Sequence, residues 1–385
     1  MFCYNPQQMS STGKHELAFD YGSQDQVFDR AFAVLRRGID DRAFPGAALA
    51  VAHCGRLVGL KGIGHFTYEP TSPEIRTDCI WDLASLTKVV ATTTMAMLLY
   101  ERRLLQLDQT LAEIVPDFDG APERKHVTCR MLLSHSSGLP GYVKLFENHR
   151  TEGAIVGAAA KLPLEAQPGT RTEYSDPGFI LLGAALAGVA QEGLDMFCER
   201  EIFRPLGMNK TRFCPPETWR ERIPPTEDDQ AFRHKVIHGV VNDENAWAMG
   251  GVAGHAGLFA SALDVARFAE CMLNGGAPIL KSATVDLFTR RESVLFGGCL
   301  NGAKPASHTL PGHTSRALGW DTPSRPSQSG KYFSAHSFGH LGFTGTSLWC
   351  DPERQLSVTL LTNRTWPDRS SQLIKQVRPQ FHDAV

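Results

Sequence analysis

Residues 339–350 read Gly339-His-Leu-Gly-Phe-Thr-Gly-Thr-Ser-Leu-Trp-Cys350, and residues 356–362 read Leu356-Ser-Val-Thr-Leu-Leu-Thr362. Between these two runs lies the polar turn Asp351-Pro-Glu-Arg-Gln355. Runs rich in β-branched and aromatic residues on either side of a proline-containing turn are typical of strands. The sequence therefore predicts that the two runs pair as a β-hairpin near the carboxyl end.

A second hairpin is predicted near the amino end. The apolar run Gly46-Ala-Ala-Leu-Ala-Val-Ala-His53 is followed by the turn Cys54-Gly55 and by Arg56-Leu-Val-Gly-Leu60. The residues between the two hairpins show mostly helical and loop patterns. This order predicts an α+β fold, in which an antiparallel β-sheet built from both chain ends is flanked by helices and carries an inserted, mostly helical lobe.

The same order suggests how the chain is divided. Residues 1–25 are polar and lack a sustained period, so we expect a flexible amino-terminal tail. Residues 26–107 and 278–385 are expected to form the sheet-containing lobe, and residues 108–277 the mostly helical lobe. The active site is expected to lie between the two lobes.

Periodicity and capping residues predict the main helices. The longest of them, dense in Val, Ala, Met and Leu, covers residues 85 to about 103. Asp176 comes directly before Pro177 and is expected to cap the helix that follows. The sequence Ser261-Ala-Leu-Asp264 is a capping-box pattern. The other predicted helices cover residues 28–35, 128–133, 177–191, 194–204, 262–273 and 370–377.

Composition excludes several classes of protein. Of 385 residues, 42% are hydrophobic and 21% are charged, which is typical of a globular protein. The 39 basic and 41 acidic side chains give a net charge of -2, so no overall field favours nucleic acid or an anionic membrane. No signal-peptide pattern is present at the start, and the longest apolar stretch, residues 179–190, is too short to cross a bilayer. These features predict a cytoplasmic protein.

The nine cysteines are dispersed and include no C-x-x-C pair. An odd number of isolated cysteines in a chain of this length indicates reduced thiols rather than a disulfide framework. Zinc is not favoured either, because its usual ligand spacing is missing. We therefore predict neither a metal nor a cofactor.

One short motif points to chemistry. The pattern S-x-x-K occurs as Ser11-Thr-Gly-Lys14 and as Ser85-Leu-Thr-Lys88, whereas G-x-S-x-G, H-E-x-x-H, P-loop and Rossmann patterns do not occur. Serine is a weak nucleophile that needs an adjacent base, and a spacing of three on a helix places Lys88 on the face of Ser85. Only the second copy opens a predicted helix, where partial burial should lower the pKa of Lys88. The alternative is a capping serine beside a solvated lysine.

A second group is Tyr174-Ser175-Asp176, on a loop directly before a predicted helix. The phenol of Tyr174 could take the serine proton if a neighbouring lysine lowered its pKa, and could then return that proton to the leaving group. The alternative for Asp176 is purely structural, as the cap of the helix.

A third group is His340-Leu341-Gly342, on the predicted carboxyl-terminal hairpin. Gly342 would let a substrate backbone approach the strand, and the N–H of Phe343 could complete an oxyanion hole with that of Ser85. His255-Ala256-Gly257 is an equally short match. We prefer His340 because it lies on a predicted edge strand, although a hydrogen-bonded structural role is the alternative for either histidine.

Taken in order, Ser85 with Lys88, then Tyr174, then His340 resemble the motifs of the serine β-lactamase and penicillin-binding-protein superfamily. The resemblance is closest to its class C branch and to the family VIII esterases, and it covers about residues 28–367. Other similar stretches are residues 131–139, 243–246, 250–259, 343–347 and 362–364.

The resemblance implies a β-lactamase/transpeptidase-like fold and a role for each matching residue. Ser85 would be the acylated nucleophile, Lys88 its activating partner and Tyr174 the general base and acid. The implied substrate-binding residues are Asp176, His340, Gly342 and Phe343.

Two departures from the family pattern bear on the substrate. The family commonly has an asparagine where this chain has Asp176, and a carboxylate there should raise the pKa of Lys88. The family also has Lys-Thr-Gly where this chain has His340-Leu341-Gly342. Losing that fixed positive charge favours neutral esters over anionic lactams.

We therefore predict a metal-independent serine hydrolase that forms an acyl-enzyme on small or short-acyl esters, with weak β-lactam hydrolysis as a second activity. The alternatives are a β-lactamase, a D,D-peptidase or D-aminopeptidase, an acyltransferase using the same intermediate, and a non-catalytic penicillin-binding module. The predicted partner is a small ester or amide, with neither nucleic acid nor membrane involved.

Overall fold

The computed structural model describes residues 17–118, 120, 122–292, 316–324 and 326–385. The pattern Ser11-Thr-Gly-Lys14 and most of the predicted tail lie outside the described residues. The strands are β1 (Ala18–Phe19), β2 (Gly46–His53), β3 (Arg56–Gly64), β4 (Ile80–Asp82), β5 (Arg212–Phe213), β6 (Glu227–Asp229), β7 (Lys235–Ile237), β8 (Leu258–Ser261), β9 (Phe338–Leu341), β10 (Ser347–Asp351) and β11 (Leu356–Thr362).

The largest sheet joins the two ends of the chain, as predicted. Its strand order is β1-β3-β2-β11-β10-β9, and β2 pairs with β11 so that Ala50 lies opposite Thr359. All pairs in this sheet are antiparallel except β1 with β3, which makes the sheet mixed. The amino-terminal hairpin is therefore continuous with the carboxyl-terminal strands.

The carboxyl-terminal hairpin differs from the prediction. Residues 339–350 are not one strand, because β9 ends at Leu341 and the chain turns back to start β10 at Ser347. The turn contains Gly345 at φ +104°, a backbone conformation that favours glycine. β10 and β11 form the predicted hairpin, and β9 lies outside β10 at the edge of the sheet. The prediction that His340 is on an edge strand is confirmed.

The helices lie mostly between β4 and β9 in sequence. Shorter 3-10 turns cover Ala84–Leu86, Pro116–Phe118, Pro122–His126, Leu145–Glu147 and Glu217–Arg222, and π-helical turns cover Lys88–Thr93 and Glu199–Phe203. The α-helices are α1 (Gln24–Val27), α2 (Asp29–Asp40), α3 (Thr94–Glu101), α4 (Leu111–Ile114), α5 (Cys129–Leu133), α6 (Glu152–Lys161), α7 (Asp176–Ala190), α8 (Leu194–Cys198), α9 (Glu244–Ala248), α10 (Ala262–Leu273), α11 (Ser282–Thr289) and α12 (Ile374–Ala384).

Three predicted helices differ from the observed ones. The helix expected over residues 194–204 consists of α8 and a π-helical turn. The helix expected over residues 85–103 consists of a 3-10 turn, a π-helical turn and α3. The last helix begins at Ile374 rather than at residue 370 and continues through Pro379 to Ala384. It continues because Phe381, beyond the proline, is fully buried against the sheet.

Helices cover both faces of the large sheet, as the alternation along β2 requires. Leu49 packs in a cluster with Phe32 of α2 and Phe381 of α12. Ala50, on the opposite face, belongs to the main core, which includes Phe268 of α10. α10 lies within the segment predicted as the helical lobe, yet it packs against β2, β10 and β11. The division into lobes remains a prediction.

A smaller sheet, of order β4-β8-β5, brings β4 beside β8. The segment that follows β4 and the segment that precedes β8 are therefore neighbours. Among the described residues, no single helix is long and apolar enough to cross a membrane, and only α7 with Leu194–Phe203, bent by 73°, meets the length and composition criteria as a pair.

Candidate active site

The structure brings Ser85, Lys88 and Tyr174 together. Ser85 lies in the 3-10 turn after β4, Lys88 begins the π-helical turn, and Tyr174 precedes α7. Ser85 Oγ is 2.6 Å from Tyr174 Oη and 3.0 Å from Lys88 Nζ. A serine hydroxyl in contact with both an ammonium and a phenol has the arrangement required of a nucleophile with proton-transfer partners.

The backbone beside Ser85 is held in an uncommon conformation. Ala84 has φ +46°, and its N–H donates to Asp82 Oδ1 at 2.9 Å. Asp82 Oδ2 accepts from the N–H of Asn242 at 2.6 Å, and Thr87 Oγ1 donates to the carbonyl of Ala84 at 2.6 Å. Left-handed non-glycine residues are costly and persist where surrounding contacts fix them. These bonds fix the direction in which Ser85 points.

The ammonium of Lys88 uses all three of its hydrogens. Besides Ser85 Oγ, Nζ donates to Asp176 Oδ1 at 2.6 Å and to the carbonyl of His255 at 2.9 Å. Burial, the largest influence, lowers the pKa of Lys88, but Asp176 and Tyr174 together raise it above its usual value. The expected fall in the Lys88 pKa is therefore wrong, whereas the rise expected from a carboxylate at 176 is confirmed.

Tyr174 is also protonated in the resting site. Burial and the charge of Asp176 raise the pKa of Tyr174 to about 12, against the lowering effects of Lys88 and of the hydrogen bonds. Lys88 lowers this pKa, as expected, but desolvation of the phenol outweighs the nearby positive charge, so the net shift is upward.

Asp176 is not the helix cap. Ser175 takes that position, since its Oγ accepts from the N–H of Gly178 at 3.0 Å and donates to the carbonyl of Pro140 at 2.7 Å. Asp176 is instead the first residue of α7, and its carboxylate is free to pair with Lys88. Because the cap lies one residue earlier than predicted, the carboxylate of Asp176 extends into the site.

His340 lies beside Tyr174, with 6.1 Å between their ring centroids. Its Nδ1 donates to the carbonyl of Leu341 at 2.8 Å. Burial, followed by the charges of Arg316 and Lys88, holds the pKa of His340 well below its usual value, so the ring is neutral. Its Nε2 is buried without a hydrogen-bond partner among the described atoms.

Gly342 is required for packing as well as for lining the site. A Cβ at this position would be 2.6 Å from the carbonyl oxygen of Leu83 and 1.9 Å from Thr346 Oγ1. The glycine thus lets the strand turn lie against the segment that carries Ser85. Phe343 is 47% exposed, and the guanidinium of Arg364 is 4.2 Å from its ring centroid.

The rejected alternative, His255, contributes to the same site through its backbone. Its carbonyl accepts from Lys88, and its ring Nε2 is 2.8 Å from Asp243 Oδ1. The side chain is nearly fully buried. Both short histidine motifs therefore lie at the site. His340 contributes its ring, and His255 contributes its backbone carbonyl.

Sequence reasoning missed Arg316 and His135. The guanidinium of Arg316 is 5.6 Å from the ring centroid of Tyr174, and its side chain is 11% exposed. Its carboxylate neighbour, Asp321, lies 3.7 Å away, beyond hydrogen-bond length, and Arg316 Nε has no partner among the described atoms. The ring centroid of His135 is 4.7 Å from that of Tyr174. No motif contains Arg316, and although His135 lies within the similar stretch at residues 131–139, the resemblance assigns it no role.

Ser85 and Tyr174 lie at the wall of a cavity of about 1150 Å³. Its volume lies just above the range usual for ligand pockets, which is about 300–1,000 Å³. Within the described chain, no group of three or more His, Cys, Asp or Glu side chains could hold a metal ion. Residues lining the cavity include Ser85, Tyr174, Asp176, Asp243, Arg316, His340, Gly342 and Phe343.

The family model of β-lactamases matches residues 30–378. The chain therefore belongs to the β-lactamase family and is a serine hydrolase of that family. The fold agrees, since the structure of "EstCE1, a hydrolase with promiscuous acyltransferase activity" superposes with a TM-score of 0.74 at 22% identity, over 94% of this chain and 99% of that one.

Two sequence relatives carry more specific names. A "Putative D-alanyl-D-alanine carboxypeptidase" of Escherichia coli (strain K12) is 32% identical over 323 residues, covering 75% of this chain and 70% of the relative. An "N-acetylmuramyl-L-alanine amidase" of Bacillus subtilis (strain 168) is 29% identical over 376 residues, covering 88% of this chain and 80% of the relative.

Proposed function

We propose that this protein hydrolyses an amide bond of a carboxylate-bearing substrate through an acyl-enzyme on Ser85. The observation that carries the proposal is the position of Ser85 Oγ, within hydrogen-bond distance of both Tyr174 Oη and Lys88 Nζ. Nucleophile, proton carrier and positive charge meet at one wall of a cavity large enough for a substrate of several residues.

In the proposed reaction, Ser85 Oγ attacks the carbonyl carbon and its proton passes to Tyr174 Oη. The phenol's own proton passes to the leaving nitrogen as the C–N bond breaks. Tyr174 is neutral before and after this exchange, so a pKa of about 12 does not prevent it. Water then attacks the ester, gives a proton to Tyr174, and Tyr174 returns one to Ser85 Oγ.

The remaining groups stabilise charge. The Lys88 ammonium, fixed by three acceptors, lies where negative charge develops on Ser85 Oγ. The backbone N–H groups of Ser85 and Phe343 are proposed to bind the oxyanion. Asp176 keeps Lys88 charged rather than contacting substrate directly, which changes the role first expected for it.

Arg316 supports a substrate that carries a carboxylate. The positive charge lost where His340 replaces a lysine is available from this guanidinium, which lines the cavity and has no hydrogen-bonded carboxylate among the described residues. A guanidinium can bind a carboxylate through two parallel hydrogen bonds. The names of the sequence relatives, an amidase and a putative carboxypeptidase, support an amide substrate.

Short-acyl esters are the second candidate. Both Lys88 and Tyr174 are protonated in the resting site, which makes Ser85 only weakly activated. An ester with a good leaving group tolerates weak activation better than an amide does. The large cavity favours a bulkier amide substrate.

The test compares kcat/KM for an amide and an ester with the same acyl group, each with and without a carboxylate on the leaving group. We expect sustained turnover, with the carboxylate raising kcat/KM at least about tenfold, which corresponds to about 1.4 kcal/mol. Arg316→Gln should remove this preference, and Lys144→Gln, at another cation of the same cavity, should not. Preference for the uncharged substrates, or a single stoichiometric burst without turnover, would contradict the proposal.

A further inference from the structure

His135 contacts both chain neighbours of Tyr174. Its backbone carbonyl accepts from the N–H of Glu173 at 2.8 Å, and its ring Nδ1 accepts from the N–H of Ser175 at 3.1 Å. The same ring packs on Tyr174, with centroids 4.7 Å apart, and on Phe179, with centroids 5.0 Å apart. The backbone carbonyl and the buried ring of His135 thus hold the loop on the two sides of the phenol.

The backbone of His135 is adapted to this contact. Helix α5 ends in a motif in which the N–H of His135 donates to the carbonyl of Leu132 at 3.2 Å and the N–H of Ser136 to that of Met131 at 2.8 Å. The residue at this place adopts left-handed φ, +57° in His135, and is usually glycine or asparagine. A histidine here carries a conformational cost that helix termination alone does not require.

We propose that His135 is a positioning residue, which holds the Tyr174 loop so that the phenol stays in hydrogen-bond contact with Ser85. This inference rests on the proposed function. It does not assign His135 a contact with substrate.

The ring is suited to a constant contact rather than a titrating one. Nδ1 must be unprotonated to accept from Ser175. Burial, followed by the charges of Arg316 and Lys88 and by His340, holds the pKa of His135 well below its usual value. The hydrogen bond to Ser175 therefore persists through neutral pH.

Two amide substitutions separate this role from simple packing. His135→Asn places an acceptor near the position of Nδ1 and tolerates left-handed φ, whereas His135→Gln places its amide further out. We expect kcat of the Asn variant to stay within about threefold of wild type. The Gln variant should lose about 10- to 100-fold in kcat with little change in KM, since a displacement near 1 Å can cost about that much.

A double-mutant comparison gives the second readout. In a Tyr174→Phe background, His135→Gln should change the residual rate less than about twofold, because a residue that acts through the phenol has no further effect once the hydroxyl is gone. A full additional loss in that background would overturn the inference. If the Gln variant does not fold, loss of activity in a folded Asn variant would overturn it as well.

His382 supplies the matched control, as another buried histidine with an unpartnered ring nitrogen, whose side chain does not line the cavity. His382→Gln should lower Tm without lowering kcat, and an equal fall in kcat would attribute the effect to general destabilisation.

A fluorophosphonate probe distinguishes failure of the proposed function from failure of the positioning role. Wild type that is labelled no faster than Ser85→Ala would refute the proposed function. Labelling of Ser85 that is equally fast in wild type and His135→Gln would refute only the positioning role.

Discussion

The protonation and hydrogen bonds of Lys88 determine which residue can transfer protons in the proposed reaction. Its ammonium is fully buried and donates to Ser85, Asp176 and the carbonyl of His255, so it has no hydrogen left to give and no lone pair to accept a proton. We therefore propose that Lys88 stabilises negative charge and does not act as the base. Proton transfer is left to Tyr174, whose hydroxyl is 2.6 Å from Ser85 Oγ.

Removal of the Tyr174 hydroxyl should therefore slow the reaction strongly. We expect Tyr174→Phe to lower kcat by about 10²- to 10⁴-fold, the usual contribution of a positioned acid–base group, with Tm nearly unchanged. Tyr142→Phe, at an exposed tyrosine of the same cavity, should keep at least half of the wild-type kcat. Near-normal turnover by Tyr174→Phe in steady-state assays would remove the phenol from the mechanism.

The pH dependence should be flat near neutrality. The pKa of Lys88 lies above its usual value and that of Tyr174 is about 12, so both keep their protons. The pKa values of His135 and His340 lie well below the usual value, so both rings are already neutral. We expect kcat/KM to be constant from about pH 7 to about pH 9. A bell-shaped profile centred in that interval would require a different acid or base.

Asp176→Asn tests the cause of these high pKa values. The carboxylate raises the pKa of both Lys88 and Tyr174, so its replacement by an amide should let both groups deprotonate at lower pH. The first alkaline transition in kcat/KM should move to lower pH in this variant. Asp321→Asn, which removes another carboxylate of the cavity, should leave that transition in place. An unshifted transition in Asp176→Asn would contradict this assignment.

The sequence identified Ser85, Lys88 and Tyr174 but not their ionisation. Motif spacing predicts which groups meet, because a serine and a lysine three residues apart share a helix face. The sign of a pKa shift depends on burial and on partners distant in sequence. The sequence predicts that Asp176 caps α7. The cap is Ser175 instead, and the carboxylate of Asp176 therefore pairs with Lys88.

At the scale of elements, the turn between β9 and β10 connects the sheet with the segment that carries the nucleophile. Thr346 Oγ1 donates to the carbonyl of Leu83 at 2.9 Å, and Thr344 Oγ1 donates to that of Asp82 at 2.8 Å. Gly342 lies close to the same carbonyl of Leu83. The position of Ser85 therefore depends on an element more than 250 residues further along the chain.

Gly342→Ala should disturb both stability and activity. The added Cβ would be 2.6 Å from a backbone oxygen of the segment before Ser85, so that segment must move. We expect a loss of about 1–3 kcal/mol in the free energy of unfolding, together with a fall in kcat. Gly157→Ala, within α6 at a position where a Cβ meets nothing within 4 Å, should leave kcat unchanged and should not lower the free energy of unfolding. Unchanged urea denaturation and kcat in Gly342→Ala would show that this contact does not position Ser85.

The sequence predicted strands best where turns bound them on both sides. β2 and β11 match the predicted runs at residues 46–53 and 356–362, because loop signals flank each run. The sequence predicts one strand over residues 339–350 because the length and composition of this run suit a strand. Gly345, at φ +104°, allows the chain to reverse there, and Gly342 allows the turn to approach the carbonyl of Leu83.

At the scale of the whole molecule, the fold depends on the pairing of β2 with β11, which joins the two ends of the chain. Helix α12 then covers the sheet face formed by residues such as Leu49 and Val358. Pairings so distant in sequence form only after a large loss of chain entropy, so the carboxyl end is needed to complete the core.

A chain that ends at Leu373, and therefore lacks α12, should lose cooperative unfolding. Its removal exposes the apolar cluster that includes Phe32 and Leu49, at about 25 cal/mol for each Å² of apolar surface. We expect no sharp thermal transition by circular dichroism and no hydrolysis. Gln376→Ala, at an exposed position of α12, should unfold like wild type. A cooperative transition in the shortened chain would show that the core closes without this helix.

Sequence patterns predicted the sheet architecture because the hydrophobic patterns of the strands are local. They did not predict a role for Arg316 or for His135, since each contacts Tyr174 from a different part of the chain. The proposed substrate class differs from the expected one for the same reason, as we propose that Arg316, which no local pattern connects to His340, supplies the positive charge missing there.

Intact-protein mass spectrometry during turnover tests the central claim most directly. A slowly released acyl donor should add one acyl mass per chain, and peptide mapping should place it on Ser85. The adduct should form far more slowly in Tyr174→Phe and be absent in Ser85→Ala. An adduct on another residue, or turnover by Ser85→Ala without any adduct, would contradict the account.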